Sequence, residues 1–149
     1  MADLRALLQE RGYDDVRTHL QSGNVVVATR QAPGKVARTI EQAVAERFGF
    51  DVDVIARSGD ELAAIVAADP LGDVAGEGKW HFVVFWDAKP DVAKLRELVT
   101  DETLEANGRE VYIWCPTGVQ GSKLMNRLDG TFRNWNTVTK LLEMVEDDR

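Results

Sequence analysis

The sequence predicts an α+β fold made of two halves with a similar order of elements. Three observations predict it. Apolar residues recur at helical spacing in several short segments, alternating or continuous apolar runs lie between those segments, and the order of the two patterns is nearly repeated along the chain. With 149 residues and 44% hydrophobic content, the chain is long enough to bury a core of its own.

The first half, residues 1–69, is predicted to contain helix, strand, strand, helix and strand, followed by a linker helix. The predicted elements are a helix over 2–11, a hairpin that pairs 16–20 with 25–27 across the turn 21–24, a helix over 34–47, a strand with Val52, Val54 and Ile55, and a short helix that begins at Gly59. Residues 70–78, which contain a proline and several glycines, are expected to form a loop that joins the halves.

The second half, residues 79–149, is predicted to contain strand, helix, strand, strand and helix. Residues 80–86 are largely apolar on both faces, as is typical of a central strand covered on two sides. Asn107-Gly108 is a strong hairpin signal. The remaining elements are strands around 103–104 and 111–114 and helices over 91–99 and 135–145.

Each half is one strand short of βαββαβ, the split-βαβ pattern of ferredoxin-like domains. The first half lacks the opening strand of that pattern. We therefore predict two tandem ferredoxin-like halves, the first without its opening strand, and expect them to form one compact unit.

Charge and cysteine content restrict the classes of function. The formal charge is −7, and residues 58–115 carry the whole excess, with 12 acidic against 5 basic side chains. Such a negative field disfavours general nucleic-acid binding and binding to anionic membranes. Cys115 is the only cysteine, and no apolar stretch approaches the roughly 18–20 residues that a membrane span needs. We expect a cytoplasmic protein without a cofactor or a metal site.

Segment 122–140 is the most informative part of the sequence for function. It carries four basic side chains and one acid, Asp129, and two asparagines flank Trp135 at the predicted start of the last helix. Backbone N–H groups at a helix start can bind an anion, so the segment predicts a site for a phosphorylated small molecule or a nucleotide. The candidate ligand-binding residues are Lys123, Arg127, Arg133, Asn134, Asn136 and Lys140.

A purely structural explanation of this segment competes with the first. Asn134 would then cap the helix, Trp135 would lie in the core, and the cations would balance acids elsewhere.

The turn at residues 21–24 is a second candidate site. Ser22 and Asn24 offer a hydroxyl and an amide to a ligand, although a tight turn favours the same residue types. The two histidines, His19 and His81, stand at no spacing typical of a metal site or a catalytic triad. We expect His81 in the core, and no catalytic residue is predicted.

Three functions stay open at this point. The first is a binding protein whose halves form a cleft with segment 122–140 as one wall. The second is an enzyme acting on a phosphorylated or nucleotide substrate, in which Lys123 and Arg133 stabilise phosphate charge and an acid or His19 moves protons. The third is a module that binds a protein partner by strand addition at an open sheet edge.

Two segments are distinctive enough to compare with known families: VRTHLQSGNVV at residues 16–26 and TFRNWNTVTKL at residues 131–141. They resemble the hallmark stretches of the domain of unknown function 1697 family, and the spacing between them fits as well. The resemblance implies tandem ferredoxin-like halves over essentially the whole chain. It implies no activity, cofactor or catalytic residue.

The same resemblance implies an unpaired sheet edge. Members of the family usually carry an additional opening strand and a glycine-containing loop before the residue that matches Met1, so we expect a late start or a truncated chain. A first-half sheet without that strand exposes unpaired backbone groups, which invite pairing between chains. We therefore expect a tendency to form homodimers or to aggregate.

Overall fold

The computed structural model describes residues 2–19, 23–73 and 75–146 and has the predicted α+β fold. Within those ranges the helices are α1 (Ala2–Glu10), α2 (Pro33–Phe48), α3 (Gly59–Ala68), α4 (Val92–Glu97), α5 (Lys123–Asn126) and α6 (Trp135–Glu146). The strands are β1 (Asp14–His19), β2 (Asn24–Ala28), β3 (His81–Phe85), β4 (Thr103–Asn107), β5 (Glu110–Trp114) and β6 (Thr131–Asn134), and a 3-10 turn covers Gly78–Trp80. No described helix is long and apolar enough to cross a membrane.

The chain divides into two compact units. The first comprises Met1–Leu62 with Leu141–Arg149, and the second comprises Ala63–Lys140. The divisions fall inside α3 and α6.

The first unit contains α1, the β1–β2 hairpin and α2. Gly12, at a φ of 93°, follows α1 at the predicted stop, because this backbone conformation strongly favours glycine. The hairpin is antiparallel with Thr18 opposite Val25, and its register is irregular between Asp14 and Arg17. The buried apolar residues of the first unit include Leu7, Leu8, Tyr13, Val16, Val36, Ala43 and Val44.

The predicted strand at Val52, Val54 and Ile55 is wrong, since residues 51–57 form neither strand nor helix. Side chains of α2 satisfy the backbone there instead. The Val54 N–H donates to the Glu41 carboxylate over 2.8 Å, and Arg38 donates to the Val54 carbonyl over 3.2 Å. The alternating apolar pattern therefore reflects half-burial without strand pairing.

The second unit holds a four-stranded antiparallel sheet in the order β4-β5-β3-β6. All five residues of β3 are buried, as the prediction of a central strand requires. Strand β6 is absent from the sequence prediction. Its sequence, TFRN, has one apolar residue, and it forms because it pairs with β3, with Val84 opposite Phe132.

Apolar side chains from every strand of this sheet except β6 are buried in the core beside α4 and α5. The buried cluster consists of Phe82, Val84, Leu95, Leu104, Val111, Ile113, Cys115, Leu124 and Met125. Tyr112, also fully buried, donates its hydroxyl to the Ile65 carbonyl over 2.6 Å. The hydroxyl of this buried tyrosine is therefore satisfied.

Candidate functional site

Helix α5 presents two cations to solvent. Ser122 caps it by accepting from the Met125 N–H over 3.1 Å, and Leu124 and Met125 are buried in the core. This anchoring leaves Lys123 and Arg127 exposed at its two ends. Neither side chain makes a hydrogen bond or an ion pair with any described residue.

Asp129, the acid of the segment, is already engaged. Its Oδ1 accepts a hydrogen bond of 2.9 Å from the Trp86 indole Nε1. The bond ties the loop after α5 to the end of β3.

Arg133 and Lys140 differ from the first two cations because each already makes an interaction within the protein. Arg133 is half-buried on β6, opposite Val83, and its guanidinium donates to the Phe132 carbonyl over 2.8 Å. Burial lowers the pKa of Arg133 from its ordinary value. Lys140 is exposed on α6.

The two asparagines beside Trp135 have separate structural settings. Asn134 Oδ1 accepts from the Thr137 N–H over 2.9 Å, which confirms that Asn134 is the N-cap of α6. Asn136 is exposed, and its amide lies so close to Gly78 that a Cβ at that glycine would overlap it. This contact joins the start of α6 to the 3-10 turn.

We expect Asn134→Ala to lower the free energy of unfolding by about 1 kcal/mol, because the Thr137 N–H loses its partner. Asn134→Asp keeps a side-chain oxygen and should retain most of the stability. Chemical denaturation of the two variants measures the difference. Equal losses would contradict a capping role.

His81 lies in the core, as predicted, and the residue is only 3% exposed. Its ring stacks on Trp135 with 4.4 Å between centroids and 10° between planes. Its Nε2 lies 3.4 Å from Asp69 Oδ1 yet makes no hydrogen bond with a described residue. Burial lowers the pKa of His81 below its ordinary 6.5, and the charge of Asp69 offsets part of that effect.

The lowered pKa of His81 predicts that acid destabilises the second unit. Between the folded pKa and 6.5 the unfolded chain binds more protons than the folded chain, so stability should rise with pH across that window. Below the window both states are protonated, and the contribution of His81 should level off at its lower value. His81→Phe keeps an aromatic ring against Trp135 and removes the titration. Thermal unfolding of both proteins from pH 7.5 to 5.5 tests this, and parallel curves would refute it.

A buried polar network, missing from the sequence prediction, supports the start of α5. Glu102 is buried and accepts from the Thr100 N–H over 3.1 Å and from the Ser122 hydroxyl over 3.4 Å. Cys115 is fully buried nearby, and burial raises the pKa of its thiol. The sequence signal that could have revealed this start of α5 is Ser122, a favoured cap residue ahead of the apolar pair Leu124 and Met125.

The predicted turn site lies in the first unit. Asn24 is buried, and its amide donates to the His19 carbonyl over 3.0 Å, so it closes the hairpin. Ser22 lies outside the described residues. The other six candidate residues all belong to the second unit, so the turn and segment 122–140 are separate candidates.

The family model described as Protein of unknown function (DUF1697) matches residues 1–112. The chain belongs to this family. The first compared segment, 16–26, lies inside the match, and the second, 131–141, lies beyond it.

A solved structure extends the comparison of this DUF1697 chain to nearly its whole length. The conserved bacterial protein SP0830 from Streptococcus pneumoniae matches with a TM-score of 0.78 and 19% identity, over 97% of this chain and 88% of that one. At that identity the likeness shows the fold alone. No curated protein matches the chain.

Membership of the DUF1697 family assigns no role to any residue, so the site rests on geometry. No group of three metal-ligating side chains occurs among the described residues. An open depression of about 410 Å³ in the first unit is lined by Gly12, Asp14, Ala28, Thr29 and Arg30, none of which is a predicted ligand-binding residue.

Proposed function

We propose that the second unit binds a phosphate-bearing small molecule or a nucleotide through segment 122–140. The observation that carries this proposal is the pair of exposed cations, Lys123 and Arg127, which have no partner among the described residues although the chain has 25 acidic against 18 basic side chains. Two unpaired cations at the ends of one short helix create a local positive potential that an anion would neutralise.

The remaining candidates take secondary roles in this proposal. Asn134 is occupied as a helix cap, so its amide oxygen is a poor ligand donor. Arg133 is half-buried and Lys140 is exposed, and each would have to exchange an existing interaction for the ligand. Asn136, exposed at the start of α6, is the better placed of the two asparagines.

The expected affinity is modest. An exposed ion pair contributes about 1 kcal/mol or less, so Lys123 and Arg127 alone support binding of inorganic phosphate no tighter than roughly millimolar. A larger phosphorylated ligand adds contacts of its own. At ten times its dissociation constant, any such ligand stabilises the folded state by about 1.4 kcal/mol.

The test is thermal unfolding against inorganic phosphate, phosphorylated metabolites, nucleotides and short oligonucleotides at constant ionic strength. We expect a stabilising shift that the Lys123→Ala/Arg127→Ala variant loses. The matched control is Lys89→Ala/Lys94→Ala, which removes the same charge from exposed positions of the same unit. If both variants lose the stabilising shift equally, or if no compound shifts the unfolding of the unmodified protein, the proposal is wrong.

The enzyme interpretation has no specific observation in its favour. His19 belongs to the first unit, and the ring of His81 is buried against Trp135. Turnover assays on any compound that shifts unfolding would separate binding from catalysis.

We also infer that the two halves are tandem ferredoxin-like repeats. Numbered within the second unit, its strands lie in the order 2-3-1-4 with helices after the first and third, which supports a split-βαβ origin. In the first unit, α1, β1, β2, α2 and residues 51–57 follow one another as the later members of that pattern do.

A second candidate function, partner binding at a sheet edge, is favoured by the size of the first sheet. Two-stranded sheets are marginal alone, and β1 and β2 form one within the described residues. Homodimer formation at this edge stays a prediction. Sedimentation at several protein concentrations would detect it.

A further inference from the structure

The turn between β4 and β5 contains a dipeptide with a chemical reactivity of its own. Gly108 and Arg109 form a two-residue turn between Asn107 and Glu110, the last opposing residues of the two strands. Of the five asparagines in the chain, Asn107 is the one that glycine follows. Asparagine is thermolabile because the backbone nitrogen of the next residue can attack its side-chain amide. Glycine favours that attack, since it has no side chain to shield its nitrogen.

The nitrogen that would attack is accessible in this turn. Asn107 and Gly108 are both exposed, and the Gly108 N–H donates no hydrogen bond to a described residue. A Cβ at Gly108 would meet no atom within 4 Å, so the space around this part of the backbone is open. Neither burial nor a hydrogen bond therefore shields the Gly108 nitrogen.

Little of the structure has to open for the reaction. Asn107 Cγ reaches the Gly108 nitrogen only after the backbone between them rotates, and that rotation breaks the pairing of Asn107 with Glu110. The contact of the Asn107 side chain with the Tyr112 hydroxyl is lost as well. The pair lies at the end of the ladder, and β4 is an edge strand of its sheet. Such terminal pairs open at a much lower free energy than the core of a sheet.

A second dipeptide of the same unit, Asp129-Gly130, could form the same ring but is held in place. Asp129 Oδ1 accepts the hydrogen bond of 2.9 Å from the Trp86 indole. The backbone of Gly130 is closely packed, because a Cβ there would lie 2.9 Å from the Phe85 carbonyl oxygen. A carboxylate is also a poorer electrophile than an amide. Asn107 is therefore the reactive position of the two.

We propose that Asn107 is a site of spontaneous deamidation. The deprotonated backbone nitrogen of Gly108 forms a bond to Asn107 Cγ, and the bond between Cγ and the amide nitrogen breaks. That nitrogen takes up a proton from water and leaves as ammonia, so a cyclic imide remains. A solvent water then adds to one of the two imide carbonyls and opens the ring. Cleavage at Cγ gives aspartate and cleavage at the backbone carbonyl carbon gives isoaspartate, without any oxidant or reductant.

Either product weakens the end of the hairpin. A carboxylate at position 107 lies opposite Glu110, which is only 9% exposed, and like charges that face each other across two strands are destabilising. Isoaspartate also adds a carbon to the main chain, which displaces Arg109. The Arg109 carbonyl accepts a hydrogen bond of 3.2 Å from the Trp86 N–H, so this displacement extends to the end of β3.

The test is incubation of the full chain at neutral and at mildly alkaline pH, followed by peptide mapping with mass spectrometry. We expect the peptide with Asn107 to gain the mass that replaces –NH2 by –OH, at a rate that rises with the hydroxide concentration. A protein isoaspartate methyltransferase should add labelled methyl groups to the same peptide. Asn107→Gln should lose the modification, because its longer side chain would have to form a larger ring. The exposed Asn126 and Asn136, which Arg127 and Thr137 follow, are internal controls.

Comparison of the folded chain with the chain unfolded in urea measures how much the turn slows the reaction. Opening of two backbone hydrogen bonds and one side-chain contact should slow it by no more than about a hundredfold. A slower reaction in the folded chain would mean that the fold protects Asn107, and it would overturn the proposal. Equal modification of Asn126 or Asn136, or retention of the modification in Asn107→Gln, would overturn it too.

Discussion

We expect Leu124→Ala to lower the free energy of unfolding of the second unit by about 2–5 kcal/mol, a large part of the stability of a typical domain. Leu124 is fully buried in the cluster that also contains Phe82 and Ile113. Truncating it to alanine loses the favourable free energy of burying the side chain away from water. It also leaves a cavity, because a packed sheet relaxes only partly. The loss should therefore greatly exceed that of a surface substitution.

The consequence for the candidate site is larger than the number suggests. Helix α5 has four residues, too few to be stable without tertiary contacts. Leu124 and Met125 provide those contacts, and the Ser122 cap adds one hydrogen bond. Loss of the Leu124 side chain should therefore release the exposed cations at the two ends of α5 from their fixed positions. Any stabilisation by a bound anion should weaken as a result.

Lys123→Ala is the matched control, since it alters the neighbouring exposed residue of the same helix and should change stability by about 0.5 kcal/mol or less. All four tryptophans lie within Ala63–Lys140, so tryptophan fluorescence during denaturation follows the second unit. A Leu124→Ala loss as small as that of Lys123→Ala would show that α5 is not anchored through Leu124.

Local patterns predict the elements whose shape depends on their own residues. The Asn107-Gly108 turn joins β4 to β5, with Gly108 at a φ of 63°. The helix predicted over 34–47 is α2, Pro33–Phe48, and the strand predicted over 80–86 is β3. In each case apolar spacing and turn chemistry agree with the tertiary contacts.

The predictions fail where a distant partner decides the structure. Residues 51–57 alternate like a strand but bond to side chains of α2, whereas β6 has little strand character and forms against β3. No local pattern contains either partner. Strand propensity is therefore a weak guide where the structure depends on residues distant in the chain.

The candidate site divides in the same way. Residue type alone selects Lys123, Arg127, Arg133 and Asn134 as groups that could contact an anion. Only the fold separates Lys123 and Arg127, which are exposed, from Asn134, which caps α6, and from Arg133, which is half-buried. The Glu102 contact with Ser122 joins residues 20 positions apart and has no sequence signal of its own.

We expect Gly130→Ala to destabilise the second unit by about 1–3 kcal/mol through overpacking. A Cβ at Gly130 would lie 2.6 Å from Trp86 Cε2 and 2.9 Å from the Phe85 carbonyl oxygen. The carbonyl belongs to β3, the central strand, and the indole is held by its bond to Asp129. A shift of either neighbour would disturb the sheet or break the bond to Asp129, so the loop between α5 and β6 must shift instead.

Gly34→Ala provides the control for this substitution. Gly34 lies in the first turn of α2, a Cβ there would meet no atom within 4 Å, and the position needs no positive φ, so alanine should be neutral or slightly stabilising. Calorimetry of both variants measures the contrast, and the NMR resonance of the Trp86 indole N–H reports whether its bond to Asp129 survives. A stable Gly130→Ala protein with an unchanged indole resonance would mean that this loop can yield without disturbing β3. The exposed cations on α5 would then be held less rigidly than their anchoring through the core implies.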